Sequence, residues 1–142
     1  MDKNKKNNTG KTGETIAANH LIGNGYKILD LNFQNNLGYR IGEIDIIAQD
    51  PKSGEIVFVE VKSRQKGKAY SSLGELAIDR VKYQKLSKII SNYLRRNKLI
   101  DCDYRLDAIS IELDMENRKA KLKHLKYIYY LLLLYFCVPM LY

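Results

Sequence analysis

The sequence predicts an α/β domain, a mixed β-sheet with helices packed on its faces. Three observations carry that prediction. Apolar residues recur at helical spacing in two separated stretches, 12–24 and 78–97. Short β-type segments occupy 26–33, 42–47, 57–62, 104–113 and 120–125. The resulting order of helix, three strands, helix and two strands interleaves the two classes rather than segregating them. A chain of 142 residues is long enough for one such domain with a real core.

The first helix rests on Ile16, Ala17, His20 and Leu21, with Gly25 placed to stop it. Residues 1–11 are polar and basic and read as a flexible arm preceding a domain at 12–126. In the first strand Tyr26, Ile28 and Phe33 are offset around Asp30 and Asn32, and a polar turn over 34–40 follows. Asp50-Pro51-Lys52-Ser53-Gly54 is a strong turn signal that joins the next two strands as a hairpin. Residues 65–76 carry Gly, Ser and Lys and read as a mobile loop. The second helix combines an apolar stripe of Val81, Leu86, Ile89, Ile90, Tyr93 and Leu94 with a basic face of Lys82, Lys85, Lys88, Arg95 and Arg96.

Twenty-four Lys and Arg against sixteen Asp and Glu give a formal net charge of +8. Such a surplus suits a polyanionic partner, nucleic acid or an anionic membrane surface, and equally a Lys- and Asn-rich compositional habit. The two cysteines, Cys102 and Cys137, stand far apart and in no CxxC arrangement, which argues against a zinc site or a disulfide framework. The first twelve residues hold no apolar segment of the secretory kind. A reducing, cytoplasmic setting is therefore expected.

Residues 127–142 form an apolar tail without a charged residue, containing the run Leu131 to Leu134. As a helix these sixteen residues would extend ~24 Å, short of a ~30 Å hydrocarbon core. Pro139 interrupts them, while Lys121, Lys123 and Lys126 precede them. Three readings stand: a membrane anchor, a buried or partner-covered segment, and an extension added by a shifted reading frame.

The chemistry concentrates in two strands. In a strand, alternate side chains share a face, so Glu43 pairs with Asp45 and Glu60 with Lys62. Their neighbours Ile44, Ile46, Ile47, Val57, Phe58 and Val59 mark both strands as core. Carboxylates beside apolar residues are costly unless compensated, and a divalent cation is the simplest compensation. Asp45 and Glu60 can reach one Mg²⁺ or Mn²⁺ ion, with the Val61 carbonyl available as a further oxygen ligand. Lys62 would point at the same place and could stabilise charge on a phosphate. Glu43 lies one pleat away, as a supporting group or part of a second site. Taken singly, such a strand Asp or Glu-x-Lys pair is more often a turn residue or a surface ion pair.

Gly42-Glu43-Ile44-Asp45-Ile46-Ile47 with Phe58-Val59-Glu60-Val61-Lys62-Ser63-Arg64 closely resembles the YraN-like family of small bacterial proteins. Thr12-Gly13-Glu14 with Ala17, Gly25 to Leu29, Ala77-Ile78 with Lys82 and Leu86, and Tyr104 to Asp107 continue the resemblance in order over residues 9–127. That family is considered related to the PD-(D/E)xK nuclease superfamily, nearest its Holliday-junction-resolvase-like branch. The resemblance implies a restriction-endonuclease-like mixed β-sheet flanked by helices. It also implies Asp45 and Glu60 as metal-binding acids, Lys62 as the catalytic lysine and Glu14 as an additional helical acid. The superfamily's proline is absent, Ile44 standing in its place, although this family usually lacks it. The tail after Tyr127 has no counterpart.

Arg64, Lys66 and Lys68 are candidates for the nucleic-acid backbone, as is Lys82 on the second helix. Asp107 is expected to serve structure, accepting from Arg105 or a nearby amide, and His20 to belong to the core. The expected function is Mg²⁺- or Mn²⁺-dependent cleavage of structured or branched DNA, by a homodimer if the junction analogy holds. Its rivals are a non-catalytic nucleic-acid-binding partner of recombination or transformation machinery and a membrane-tethered interaction protein.

Overall fold

The structure is a computed structural model that describes residues 3–35, 42–67 and 80–128, with side chains described for 8–35, 42–67 and 81–128. Lys68, most of the expected loop and most of the apolar tail lie outside the described residues. The elements are α1 (Lys3–Gly23), β1 (Lys27–Gln34), β2 (Glu43–Gln49), β3 (Ile56–Gln65), α2 (Arg80–Arg96), β4 (Tyr104–Asp114) and β5 (Lys119–Leu125). The five strands form one mixed sheet in the order β1-β2-β3-β4-β5. All neighbours are antiparallel except β3 and β4, which are parallel and joined across the sheet by α2.

Each face of the sheet carries one helix. Ala17 and Leu21 of α1 close over Ile46, Ala48, Val57, Val59, Ile109 and Ile111. On the other face Leu86, Ile89, Ile90, Tyr93 and Leu94 of α2 close over Ile44, Ile47, Ile56, Phe58, Leu106 and Ala108. Fully burying one such aliphatic or aromatic side chain is worth about 1.5–3 kcal/mol, which is how two single helices hold a central sheet. Val81 was expected in the α2 stripe but is 60% exposed. It lies in the first turn of α2, where it lines a cleft.

The expected helix and strand boundaries hold within two residues except at the end of β3, which runs three residues further to Gln65, and at the start of α1. That helix begins at Lys3, nine residues before the apolar periodicity does, through a stretch read as an arm. Thr12 and Thr15 donate back to the Asn8 and Lys11 carbonyls, so polar side chains continue the helix where no apolar stripe marks it. Its end is as expected. Gly25, at φ 84°, donates to the Ile22 carbonyl while the Tyr26 amide reaches Leu21, a glycine-terminated helix cap.

The hairpin between β2 and β3 is also as expected. Asp50 accepts from the Lys52 and Ser53 amides, and its own carbonyl accepts from Gly54 at φ 74°. Arg105 ties this turn to β4. Its guanidinium lies 2.8 Å from both Asp50 and Glu55 and 3.0 Å from Asp107. Asp107, fully buried, also accepts from the Tyr127 amide and lies 2.9 Å from His124 Nε2. The structural role expected for Asp107 is therefore met by both a guanidinium and an amide.

Candidate active site

The ladder between β2 and β3 stops at Ile46 opposite Val59. One residue further, the strands part, and the amide of Val61 would lose its β2 partner. The side chain of Asp45 replaces that partner, its Oδ2 accepting from Val61 N–H at 2.7 Å. The same divergence breaks the strict alternation expected of β2. Ile44 packs with Ile47 beneath α2 rather than with Ile46.

Asp45 and Glu60 face each other across this gap, both buried. They line a cleft of about 430 Å³ together with Gly42, Glu43, Lys82, Lys85 and Leu86. Burial pushes the Asp45 carboxyl up to about 7, the nearby Glu60 charge adds to it, and Glu14 and Glu43 contribute further. The Val61 amide opposes this but does not overcome it. Glu60 has different company. Lys62 Nζ lies 3.3 Å from its Oε1, and Lys82 of α2 bonds the same oxygen. Burial and the adjacent Lys82 ammonium lower the Lys62 pKa. For Lys82, burial acts in the same direction, but pairing with Glu60 outweighs it and the pKa rises.

Asp45 also borders a second cleft, lined by Gly10, Lys11, Glu14, Thr15 and Glu43 among others. Glu14 therefore approaches the site from the α1 side, as the resemblance implies. Glu43 is half-buried and held by Gln34, whose Nε2 donates to its Oε2 at 2.9 Å. Val61, expected to lend a carbonyl, meets Asp45 through its N–H. Arg64 and Lys66 continue along β3 but are engaged by β4 acids, Arg64 with Glu112 at 2.6 Å and Lys66 with Asp114 at 2.8 Å.

One contributor stands out in the sequence only within the Thr12-Gly13-Glu14 motif, with no role of its own. Gly13 is buried against β3, and a Cβ built on it would lie 2.4 Å from Ser63 Cβ. Only a glycine lets α1 approach β3 this closely, and Glu14 is the next residue. A glycine inside a helix was the available signal, since it weakens a helix unless close packing requires it.

The acids fit an open metal site rather than a closed one. Among the described residues no three His, Cys, Asp or Glu side chains are gathered tightly enough to enclose an ion. Mg²⁺ and similar ions commonly take one or two carboxylates and complete their shell with water and substrate phosphate. Two opposed, mutually repelling carboxylates in a solvent-reached cleft offer that donor set.

Fold and cleft together define an α/β protein of restriction-endonuclease-like architecture, with an acidic pair at the point where two strands of its mixed sheet separate. The family model for the uncharacterised protein family UPF0102 matches residues 13–111, a span from Gly13 through Glu60, Lys62 and Lys82 to the middle of β4. A UPF0102 protein of Syntrophus aciditrophicus (strain SB) is 41% identical over 114 residues, 80% of this chain and 84% of its own length. One from Clostridium tetani (strain Massachusetts / E88) is 41% identical over 118 residues, 82% of this chain and 89% of its own. One from Persephonella marina (strain DSM 14350 / EX-H1) is 42% identical over 102 residues, 72% and 81% respectively. The chain belongs to the UPF0102 family, the YraN-like family that its motifs resemble.

No helix among the described residues is long and apolar enough to cross a membrane.

Proposed function

We propose that this protein is a Mg²⁺- or Mn²⁺-dependent nuclease that hydrolyses phosphodiester bonds in structured or branched DNA. The observation that carries the reading is the convergence of Asp45, Glu60 and Lys82 on one open cleft, with Lys62 paired to Glu60. A bound divalent ion would supply Lewis acidity and an activated water. Asp45 and Glu60 would hold it, with the Val61 amide fixing the orientation of the Asp45 carboxylate. Lys62, on the rigid central strand, would stabilise the charge that builds on the phosphate. Glu14 would accept a hydrogen bond from water on the α1 side. Arg64, Lys66, Lys68 and the basic face of α2 would hold the sugar–phosphate backbone, a sequence-independent contact. Resolving a junction needs two such sites, so the reading includes a homodimer.

The test is a cleavage screen over linear, flapped and four-way DNA with Mg²⁺ or Mn²⁺. The expected result is cation-dependent cleavage of a branched substrate, lost in Asp45→Ala and Glu60→Ala. Binding without cleavage across all substrates would replace the enzyme with a non-catalytic DNA-binding module.

A further inference from the structure

We infer that Lys82 is a displaceable counter-ion that couples cation binding to substrate binding: it holds Glu60 when the site is free and is released to the phosphodiester when a divalent cation enters. This rests on the nuclease reading of the acidic pair and assigns one residue a role within it.

The two ammonium groups on Glu60 are not equivalent. Lys62 is two residues from Glu60 on the same strand, so β3 keeps their backbones on one face whether or not the pair forms. Lys82 arrives from across the cleft on α2, so only its side chain brings it to Glu60; its side chain is 34% exposed against 44% for Lys62. Leu86 and Ile89 anchor α2 in the core, so movement of Lys82 needs only its own flexible stem, not the helix. Both ammonium groups meet the same oxygen of Glu60, and among the described residues neither forms an ion pair with Asp45.

Charge accounting then sets the order of events. Without a cation the Glu60 carboxylate is shared by two ammonium groups, Lys62 and Lys82, on one oxygen. A divalent ion held by Asp45 and Glu60 would bring two positive charges beside Lys82 and would compete with it for the Glu60 carboxylate. Repulsion and loss of its partner both drive Lys82 away from Glu60. The anion then closest in kind is a substrate phosphate at the cleft mouth, where Lys85 also lies. Cation binding is thereby opposed by Lys82 in the free protein and rewarded once substrate is present.

The test compares the full chain with Lys82→Met and Lys85→Met, the second being a cleft lysine not paired with Glu60. Mn²⁺ affinity is measured by calorimetry, and affinity for a fluorescent four-way junction is measured by anisotropy with and without Ca²⁺. Lys82→Met is expected to bind Mn²⁺ roughly two- to fivefold tighter, the range that removing one competing, partly exposed ion pair allows. It should also lose most of the Ca²⁺-dependent gain in junction affinity. Lys85→Met, which removes a cleft charge but no ion pair with Glu60, should tighten Mn²⁺ binding clearly less than Lys82→Met. Equal or weaker Mn²⁺ binding by Lys82→Met, or equal tightening in Lys85→Met, overturns the inference and leaves the metal-site reading intact. If the wild-type chain and Asp45→Asn bind Mn²⁺ alike, the metal-site reading falls and the inference with it.

Discussion

The two ends of β3 bury charge in opposite ways. Near Ile56, where the strand begins, Arg105 is enclosed by Asp50, Glu55 and Asp107, with Tyr26, Tyr127 and His124 completing the hydrogen bonds. Burial alone would raise the Asp50 and Glu55 carboxyls, but amides, hydroxyls and the Arg105 guanidinium overcome it and hold both below their ordinary values. Past Val59, where β2 leaves β3, Asp45 is buried among other acids and is pushed up to about 7. The first cluster is electrostatically finished and braces a turn against a strand. The second is unfinished: among the described residues both ammonium groups meet Glu60 and none forms an ion pair with Asp45. A buried acid whose partners lie within the chain is structural, whereas one left in the company of acids, in an open cleft, is prepared for a ligand.

The difference is testable by removing charge at each end. Arg105→Met leaves Asp107 buried without its guanidinium and should destabilise the protein by about 3–5 kcal/mol in urea melts, the usual cost of breaking a buried pair from one side. The opposite sign is expected at Asp45. Its native pKa lies above the ordinary 3.8, so the native state keeps a proton that the unfolded chain has released. Metal-free stability therefore falls as pH rises from about 4 to about 7, and the cost is complete above that. Asp45→Asn, which can still accept from Val61, should stabilise the metal-free protein at pH 8 by on the order of 3 kcal/mol and have little effect at pH 4. At the Arg105 end the linkage reverses. Stability from Asp50 and Glu55 is fully present above their ordinary values and is lost as pH falls below these through the lowered native ones, a loss that Arg105→Met should blunt.

A smaller effect is expected where α1 meets the site. Gly13→Ala would gain helix propensity but place a Cβ 2.4 Å from Ser63, and the steric term should dominate at about 1–3 kcal/mol. Ser63→Gly removes the obstructing Cβ and should rescue it, whereas Ser63→Ala should not. Least of all, Lys66→Ala should not measurably shift the melt, because its pair with Asp114 is on the surface. A large shift there would show that the β3–β4 edge is more than a solvated ion pair.

Much of this was legible in the chain. The hairpin at Asp50 to Gly54, the Gly25 cap and the burial of Asp107 follow from turn chemistry and local pattern. Asp45 and Glu60 stood out because acids interrupt runs of β-branched residues. What escaped depends on contacts between distant elements. The early start of α1 has no apolar signal, since its first turns are polar. Gly13 acquires meaning only when Ser63 is known to lie beneath it. The parting of β2 and β3 between Asp45 and Ile46 cannot be read from alternation, which it breaks at Ile44. That Lys82 crosses the cleft to Glu60 depends on how α2 packs, not on its own sequence.

The central claim is that Asp45 and Glu60 form a cation site, and Mn²⁺ calorimetry on the full chain at pH 8 tests it most directly. The account predicts a saturable one-site isotherm for the wild-type protein that is abolished in both Asp45→Asn and Glu60→Gln, while Arg64→Met retains it. An isotherm in Asp45→Asn indistinguishable from wild type, or no binding by the wild-type chain at millimolar Mn²⁺, would contradict it.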